Sequence, residues 1–180
     1  MKKLTLLRHA KSGWDDPVSR DFDRPLNAKG KRAAQRVGEY LRAHHVDFDH
    51  IVASPAIRVV ETIEHLAEGA GELPAPAWDK RIYLASAVSL LDVVHEADDR
   101  YDSLLLVGHN PGLEDLVLMM VPDKPGDDAR DQVEEKFPTA SIAEISFAVD
   151  RWEDVQPNAG RLSLFVRPRD LDPALGPDRD

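Results

Sequence analysis

The sequence predicts an α/β fold, a three-layer α/β/α sandwich with a mainly parallel central sheet. Strand-like and helix-like patterns alternate along most of the 180 residues, an order typical of a sheet that helices cover on both faces. The run "SLLLVG" at 103–108 is continuously apolar, as expected of a strand buried on both faces. The chain has the length of one domain, and no repeat or second domain is visible.

The first elements follow from local patterns. "LTLL" predicts a short buried strand before Arg8, and apolar residues at helical spacing predict a helix at about 28–44 with Asn27 as its N-cap. "HIVASP" predicts a second strand. Ser54 as N-cap and Pro55 at the first helical position then predict the next helix. A Pro-rich connection at 72–78 leads to a helix around 89–97.

The second half continues the alternation. After "SLLLVG", Asn110 is expected to cap a helix that begins at Pro111. "SIAEISFAV" and "RLSLFVR" alternate in part and predict strands in a less buried part of the sheet. The acidic run at 122–135 most simply predicts a solvated loop. Residues 168–180 are polar and Pro-rich, and we expect them to form a flexible tail.

The composition excludes several classes of function. A net charge of −10 leaves no basic field for nucleic acid or an anionic membrane. Cysteine is absent, which excludes disulfides and thiol catalysis. No apolar run approaches the roughly 20 residues of a membrane span, and the N-terminal one is too short for a signal peptide. We therefore predict a cytoplasmic protein that binds neither nucleic acid nor membrane.

Three groups of polar residues follow predicted strands, and they are Arg8–His9, Ser54–Arg58 and Gly108–Asn110. Taken singly, each has an ordinary explanation: a strand end that reaches water, a solvated helix residue, a loop histidine. The carboxyl ends of parallel strands, however, meet at one edge of a sheet. Two guanidinium groups and two imidazoles at that edge suit a tetrahedral anion. We therefore expect a locally positive oxyanion site in a protein whose net charge is negative.

A metal or cofactor has little support in the sequence. The segment "HHVDFDH" at 44–50 collects possible ligands, but its spacing matches no zinc pattern, and histidines that complement a helix C-terminus explain it better. Neither GxxxxGK[ST] nor GxGxxG occurs, so nucleotide binding is not indicated. We expect no metal and no cofactor.

Five segments, taken in order, carry a resemblance to a known family: "LLRHAKS", "DRPLNAKGKRAA", "ASPAIRVVET", "LLLVGHNPGLEDL" and "KFPTASI". They resemble the histidine phosphatase superfamily, which has a phosphoglycerate mutase-like fold, and within it the SixA-like phosphohistidine phosphatases. The resemblance covers most of residues 1–166. It implies a single histidine phosphatase domain at 1–167, followed by the tail at 168–180.

The resemblance also implies roles for individual residues. His9 would be the nucleophile that becomes phosphorylated, and Arg8, Arg58 and His109 would bind the phosphoryl group. The substrate-binding positions would be Ser12, Arg24 near the pocket mouth, and Asn110. The acidic run at 122–135 would lie at the rim, where it could contact a substrate.

One departure from the family bears on the substrate. Relatives that cleave phosphate esters usually carry an acidic proton donor in the segment after the Pro-rich connection. Here that segment reads "KRIYLASAVS" and offers Tyr83 but no carboxylate until Asp92. An alkoxide needs a proton in order to leave, whereas a protonated imidazole does not. The sequence thus favours phosphohistidine on a partner protein, for instance a histidine phosphotransfer domain. The acid could still be one of three loop residues: Asp15, Asp16 or Asp23. A phosphatase of small phosphorylated metabolites and an inactive phospho-binding module remain the alternatives.

Overall fold

A computed structural model describes residues 1–13 and 20–176. The strands are β1 (Lys2–Arg8), β2 (His50–Ala53), β3 (Pro76–Trp78), β4 (Ser103–Gly108), β5 (Ile142–Phe147) and β6 (Arg161–Val166). The helices are α1 (Ala28–Ala43), α2 (Ile57–Ala70), α3 (Ala87–His95), α4 (Gly112–Met120), α5 (Asp128–Glu135) and α6 (Pro168–Leu171). No helix in this part of the chain has both the length and the apolar character needed to cross a membrane.

The strands form one sheet in the order β3-β2-β4-β1-β5-β6. The first four run parallel, and β5 and β6 are antiparallel to their neighbours. Successive side chains of β1 alternate between two cores: Leu6 packs with residues of α3 and α4, and Leu7 packs with residues of α1 and α2. The predicted α/β fold with helices on both faces of a mainly parallel sheet is therefore confirmed.

The register of the parallel strands aligns their carboxyl ends. Arg8 of β1 lies opposite Gly108 of β4, and Ala53 of β2 lies opposite Val107 of β4. The residues that follow these three strands consequently emerge side by side at one edge of the sheet. This is the edge at which we expected the polar groups to meet.

Helix α2 begins later than predicted. Its first residue is Ile57 and its N-cap is Ala56, which makes no side-chain capping bond. The predicted cap, Ser54, is wrong because its hydroxyl is engaged by His109 Nε2 at 2.8 Å and accepts only a 3.3 Å bond from the Ala56 N–H. The Ser54 side chain therefore belongs to the site at the sheet edge and does not form the helix cap that the local pattern predicted.

Helix α4 also begins one residue late, at Gly112, with Pro111 as its N-cap. The Asn110 side chain still supports the helix, because its Oδ1 accepts a 3.2 Å bond from the Glu114 N–H. A Cβ at Gly112 would lie 2.1 Å from the Ala85 carbonyl oxygen. The close backbone approach that glycine permits therefore fixes where this helix starts.

Two segments that were expected to lack regular structure form elements. The Pro-rich connection contributes β3, an edge strand in which Pro76 occupies the first position, one of the few positions in a sheet that tolerate proline. The acidic run, expected to be a solvated loop, folds at residues 128–135 into α5. Its Arg130 and Val133 are buried, and Arg130 Nε donates to the Val121 carbonyl at 2.9 Å.

The chain stays packed beyond the predicted domain boundary at 167. Residues 168–171 form α6, a 3-10 turn follows at 173–175, and Leu175 is only 6% exposed. Leu175 belongs to the core that α1 and α2 share. The expectation of a loose tail from residue 168 therefore needs correction as far as residue 175, and residues 177–180 lie outside the described chain.

Helices α1 and α2 approach each other through glycines. A Cβ at Gly38 would lie 2.1 Å from the Leu66 carbonyl oxygen, and one at Gly69 would lie 2.1 Å from the Gln35 carbonyl oxygen. Both clashes are with backbone atoms, which cannot rotate away as a flexible side chain could. The helix that carries Arg58 is therefore held against α1 at backbone distance.

We expect Gly38→Ala to lower the free energy of unfolding by about 1–3 kcal/mol, the usual range for an overpacked core. This loss would outweigh the gain of about 1 kcal/mol that alanine brings to a helix interior. Denaturant unfolding measures the change, and Gln35→Ala on the exposed face of α1 is the matched control. A Gly38→Ala protein as stable as the wild type would contradict the close contact.

Candidate active site

A pocket of about 420 Å³ lies at the carboxyl edge of the parallel strands. It brings together all seven residues that the sequence singled out: Arg8, His9, Ser12, Arg24, Arg58, His109 and Asn110. Lys11, Asp21, Leu84 and Thr139 are the other lining residues within the described chain. Among these described residues, four carry positive charge and one carries negative charge, so they make a locally cationic lining in a protein whose net charge is −10.

His9 directly follows β1, and its side chain is 7% exposed. Its Nδ1 lies 2.7 Å from the Ala10 carbonyl oxygen. Because a carbonyl only accepts hydrogen bonds, Nδ1 carries the proton and Nε2 keeps its lone pair. Burial, assisted by the charge on Arg8, lowers the pKa of His9 well below its usual value, although the backbone hydrogen bond acts in the opposite direction. The imidazole is therefore neutral at neutral pH.

His109 lies beside His9, with the two ring centroids 5.4 Å apart. Its Nδ1 is 3.3 Å from Arg58 Nη2, and its Nε2 is 2.8 Å from Ser54 Oγ. A guanidinium can only donate, so Nδ1 accepts from Arg58 and Nε2 donates to Ser54. Burial, followed by the charge on Arg58, lowers the pKa of His109 to about 3. Both imidazoles of the pocket are thus neutral.

Arg58 is the second residue of α2, and it is 2% exposed. Its Nη1 donates to the Asp21 backbone carbonyl and its Nη2 donates to Asp21 Oδ2, each at 2.9 Å. Its Nε is buried, and within residues 1–13 and 20–176 it has no hydrogen-bond partner. A buried donor without an acceptor is costly, and an anion in the pocket would supply the acceptor.

Arg8 and Asn110 are oriented by one acceptor. Arg8 Nη1 donates to the Phe137 carbonyl at 3.0 Å, and Asn110 Nδ2 donates to the same oxygen at 2.9 Å. Phe137 belongs to the "KFPTAS" segment and is fully buried. That segment therefore fixes two pocket side chains, and its role in orienting them could not be read from the sequence.

Thr62 connects the end of β1 to α2 from outside the pocket. Its Oγ1 accepts a 2.8 Å bond from the Ala10 N–H and donates a 2.6 Å bond to the Arg58 carbonyl. Thr62 is completely buried. The residue after His9 and the backbone of Arg58 are consequently joined through one hydroxyl group.

Ser12 and Arg24 line the pocket on either side of the first loop. Ser12 pairs with Leu26 in an isolated β-bridge, which holds the start of the first loop to its end. Arg24 Nη2 is 3.2 Å from Asp21 Oδ1, and its side chain is 12% exposed. Both residues are therefore held near the pocket by contacts within the loop that they flank.

Asp21 is the functional residue that the sequence did not single out. Its Oδ2 accepts from the Tyr83 hydroxyl at 2.7 Å as well as from Arg58. Burial raises the pKa of Asp21, but the Tyr83 hydroxyl and the Arg58 charge outweigh this effect, so the pKa lies below the usual value. The carboxylate is therefore ionised at neutral pH.

The loop aspartates named as possible acids are placed differently. Asp23 points to the exposed Arg20, at 2.9 Å, and does not line the pocket. Asp15 and Asp16 lie outside the described residues. Asp21 and Asp23 share one 3-10 turn, where residues two apart project in different directions. Nothing in the sequence "RDFDRP" shows which of the two faces inward.

The histidine and aspartate segment at 44–50 is placed away from the pocket. His44 is the C-cap residue of α1, and its Nδ1 is 3.0 Å from the Tyr40 carbonyl. In the described part of the chain, no group of three or more His, Asp or Glu side chains is arranged to hold a metal ion. The contact of His44 fits histidines that complement a helix end.

Comparison with known proteins gives consistent similarities. The model of the histidine phosphatase superfamily (branch 1) matches residues 4–80. An uncharacterized protein of Mycobacterium tuberculosis is 34% identical over 165 residues, which are 91% of this chain and all of that protein. The structure of a candidate phosphohistidine phosphatase SixA from Nakamurella multipartitia has a TM-score of 0.80 at 27% identity and covers 93% of this chain and 96% of its own. Its counterpart from Agrobacterium tumefaciens has a TM-score of 0.76 at 27% identity, and the match covers 93% of this chain and 98% of that one.

The two neutral histidines predict a pH-dependent stability. Their folded pKa values lie below the unfolded value of about 6.5, so the unfolded chain binds protons first and stability falls as the pH drops below that value. The slope is at most about 1.4 kcal/mol per pH unit for each group.

We expect His9→Asn to unfold with a shallower pH dependence than the wild type between about pH 5 and 7. His45→Asn is the control, because His45 is exposed and has a φ of 53°, which asparagine tolerates. Urea unfolding at several pH values measures the difference. Identical slopes for His9→Asn and the wild type would contradict a buried neutral imidazole.

Proposed function

Because the chain belongs to the histidine phosphatase superfamily, we propose that it is a phosphatase that works through a phosphohistidine at His9 and acts on phosphohistidine in a partner protein. The observation that carries the proposal is the state of His9. Its Nδ1 is held by the Ala10 carbonyl, so Nε2 is left as the nitrogen with a lone pair in a pocket lined by arginines. A neutral imidazole oriented in this way is a competent nucleophile.

The cations of the pocket suit a phosphoryl group in transfer. Phosphoryl transfer depends mostly on positioning and on stabilising charge at the oxygens, and guanidinium groups match those oxygens geometrically. Arg8 is fixed by the Phe137 carbonyl, and Arg58 has a buried Nε donor that finds no acceptor in the described chain. We assign the binding of the phosphoryl oxygens to these two side chains.

His109 contributes after the anion has entered. In the free protein, burial and the neighbouring guanidinium keep it neutral. A dianion beside it reverses the local field and raises its pKa. Once Arg58 Nη2 has turned from His109 Nδ1 to the phosphate, His109 can take a proton on Nδ1 and donate it in a hydrogen bond to a phosphoryl oxygen, while its Nε2 stays bonded to Ser54. A charged donor of this kind stabilises the transition state more than a neutral one.

The reaction then has two steps. His9 Nε2 attacks phosphorus in line with the bond to the leaving group, and the electron pair of that bond goes to the leaving group. Water next attacks phosphorus of the phosphorylated His9, which releases phosphate and regenerates the neutral imidazole. No metal or cofactor takes part in either step of this proposal.

The ionised Asp21 supports phosphohistidine as the substrate. It is the carboxylate that lines the pocket within the described residues, and its lowered pKa makes it a poor proton donor at neutral pH. Alkyl esters need a proton on the leaving oxygen. Phosphohistidine that has taken a solvent proton on its second ring nitrogen leaves as a neutral imidazole, so the pocket can cleave it without an acid.

Replacing His9 with asparagine should abolish turnover while leaving the protein folded, because asparagine has no lone-pair nitrogen to attack phosphorus. We expect kcat to fall by several orders of magnitude and the acid-labile, alkali-stable label on the wild type to disappear in rapid-quench experiments with labelled substrate. His45→Asn serves as the matched control and should retain both. Hydrolysis by His9→Asn near the wild-type rate would disprove the assignment of the nucleophile.

Comparison of leaving groups tests the substrate class. We expect kcat/KM to be highest for phosphohistidine in a phosphotransfer domain or peptide, lower for p-nitrophenyl phosphate, and lowest for alkyl phosphates, whose leaving oxygen is the most basic. Steady-state kinetics on the wild type measures the order. Rapid turnover of alkyl phosphates would instead indicate a phosphatase of small metabolites.

A further inference from the structure

Asp21 is bonded to Arg58, so the phosphoryl group of a substrate must compete with Asp21 for that guanidinium. Its backbone carbonyl and its carboxylate both accept from Arg58, its Oδ1 is 3.2 Å from Arg24, and its Oδ2 accepts from the Tyr83 hydroxyl. The Asp21 side chain is nevertheless 37% exposed. The Asp21 carboxylate therefore pairs with Arg58 at the open side of the pocket. Arg58 is also a residue to which we assign the binding of the phosphoryl oxygens.

A bound phosphoryl group changes what this carboxylate can contact. The phosphoryl oxygens carry more charge than a carboxylate and compete with it for the guanidinium of Arg58. Each contact that Arg58 transfers to phosphate removes a cationic donor from Asp21, which keeps Arg24 at Oδ1 and the Tyr83 hydroxyl at Oδ2. Two anions then share the pocket, and a substrate that brings a hydrogen-bond donor or a positive charge to Asp21 relieves their repulsion.

Substrates differ in their ability to supply that donor. The leaving side of a phosphate ester presents an oxygen without a proton and often further anionic groups. The leaving side of an N-phosphorylated imidazole presents a ring nitrogen with a lone pair, and protonation converts this nitrogen into an N–H on a positively charged ring. The Asp21 carboxylate therefore disfavours the binding of phosphate esters and favours the binding of N-phosphorylated imidazoles.

We propose that Asp21 is a specificity-determining residue that binds the protonated nitrogen of the leaving group and so selects P–N substrates over P–O esters. This inference rests on the proposed function, because it takes His9 as the nucleophile. Tyr83, whose ring packs edge-on against His109 at 5.3 Å, holds the Asp21 carboxylate at the mouth while Arg58 turns to the phosphate.

The step balances without a proton from the enzyme. The phosphorylated imidazole takes up a solvent proton on its free nitrogen, and the Asp21 carboxylate stabilises that form. His9 Nε2 then forms a bond to phosphorus as the P–N bond breaks. The electron pair returns to the ring, which leaves as neutral imidazole with the proton still facing Asp21.

The chain offers a matched pair of variants for the test. Asp21 and Asp23 lie on the same 3-10 turn, but Asp23 pairs with the exposed Arg20 and lines no part of the pocket. We therefore compare Asp21→Asn with Asp23→Asn, using phosphoimidazole as the P–N substrate and p-nitrophenyl phosphate as the P–O substrate. Asp21→Ser replaces Asp21→Asn if circular dichroism shows that the latter is unfolded.

In Asp21→Asn, we expect the ratio of kcat/KM for phosphoimidazole to kcat/KM for p-nitrophenyl phosphate to fall by about tenfold or more, the effect of losing a hydrogen bond to a charged group. The alkaline limb of the phosphoimidazole profile should also move to lower pH, because the carboxylate no longer favours the protonated substrate. The ratio and the profile in Asp23→Asn should match the wild type.

Two results would overturn the proposal alone. Equal losses for both substrates in Asp21→Asn, which leave the ratio unchanged, would mean that Asp21 only orients Arg58, and wild-type kcat/KM values with a wild-type pH profile would mean that it does not contact the leaving group. If the wild type does not hydrolyse phosphoimidazole, or His9 is never labelled, the proposed function itself fails. The two kinds of failure are therefore separated by the behaviour of the wild type.

Discussion

Arg58 is a charged side chain buried at the centre of the pocket in a strongly acidic protein, and the neighbouring groups are arranged to neutralise it. A guanidinium removed from water is stable only when anions or acceptors replace the lost hydration. Asp21 reaches in from the first loop and gives Arg58 a carbonyl and a carboxylate, while His109 gives it a lone pair. This buried cation adds to the effect of burial in lowering the pKa of His109, and it adds to the effect of the Tyr83 hydroxyl in lowering the pKa of Asp21.

The two imidazoles meet because of the register of the sheet. Arg8 lies opposite Gly108, so the residues that follow these positions emerge together, and the rings of His9 and His109 come within 5.4 Å. Neutral rings can approach in this way without the repulsion that two imidazolium ions would suffer. The same burial that removes their charge keeps the lone pair on His9 Nε2, so packing and nucleophilicity have a common origin.

Much of this arrangement could be predicted from the sequence. The alternation of strand and helix patterns predicted the sheet, and the rule that parallel strands share a carboxyl edge predicted that Arg8, His9, Arg58 and His109 would line one pocket. What failed were positions where a tertiary contact overrides local chemistry. Ser54 has the residue type of a helix cap but bonds to His109 instead. Arg130 in the acidic run is buried, and its guanidinium donates to two backbone carbonyls. Asp21 could not be told from Asp23, because the side to which a 3-10 turn faces is set by the loop around it.

The hydroxyl of Thr62 joins the Ala10 N–H to the Arg58 carbonyl, and α2 itself is pressed against α1 at backbone distance. The end of β1 and the first turn of α2 are thus one mechanical unit. A shift of α2 would be transmitted through Thr62 to the backbone that follows His9, the residue that we propose as the nucleophile. Asp21, in the first loop, is joined to the same unit through the two hydrogen bonds that it accepts from Arg58.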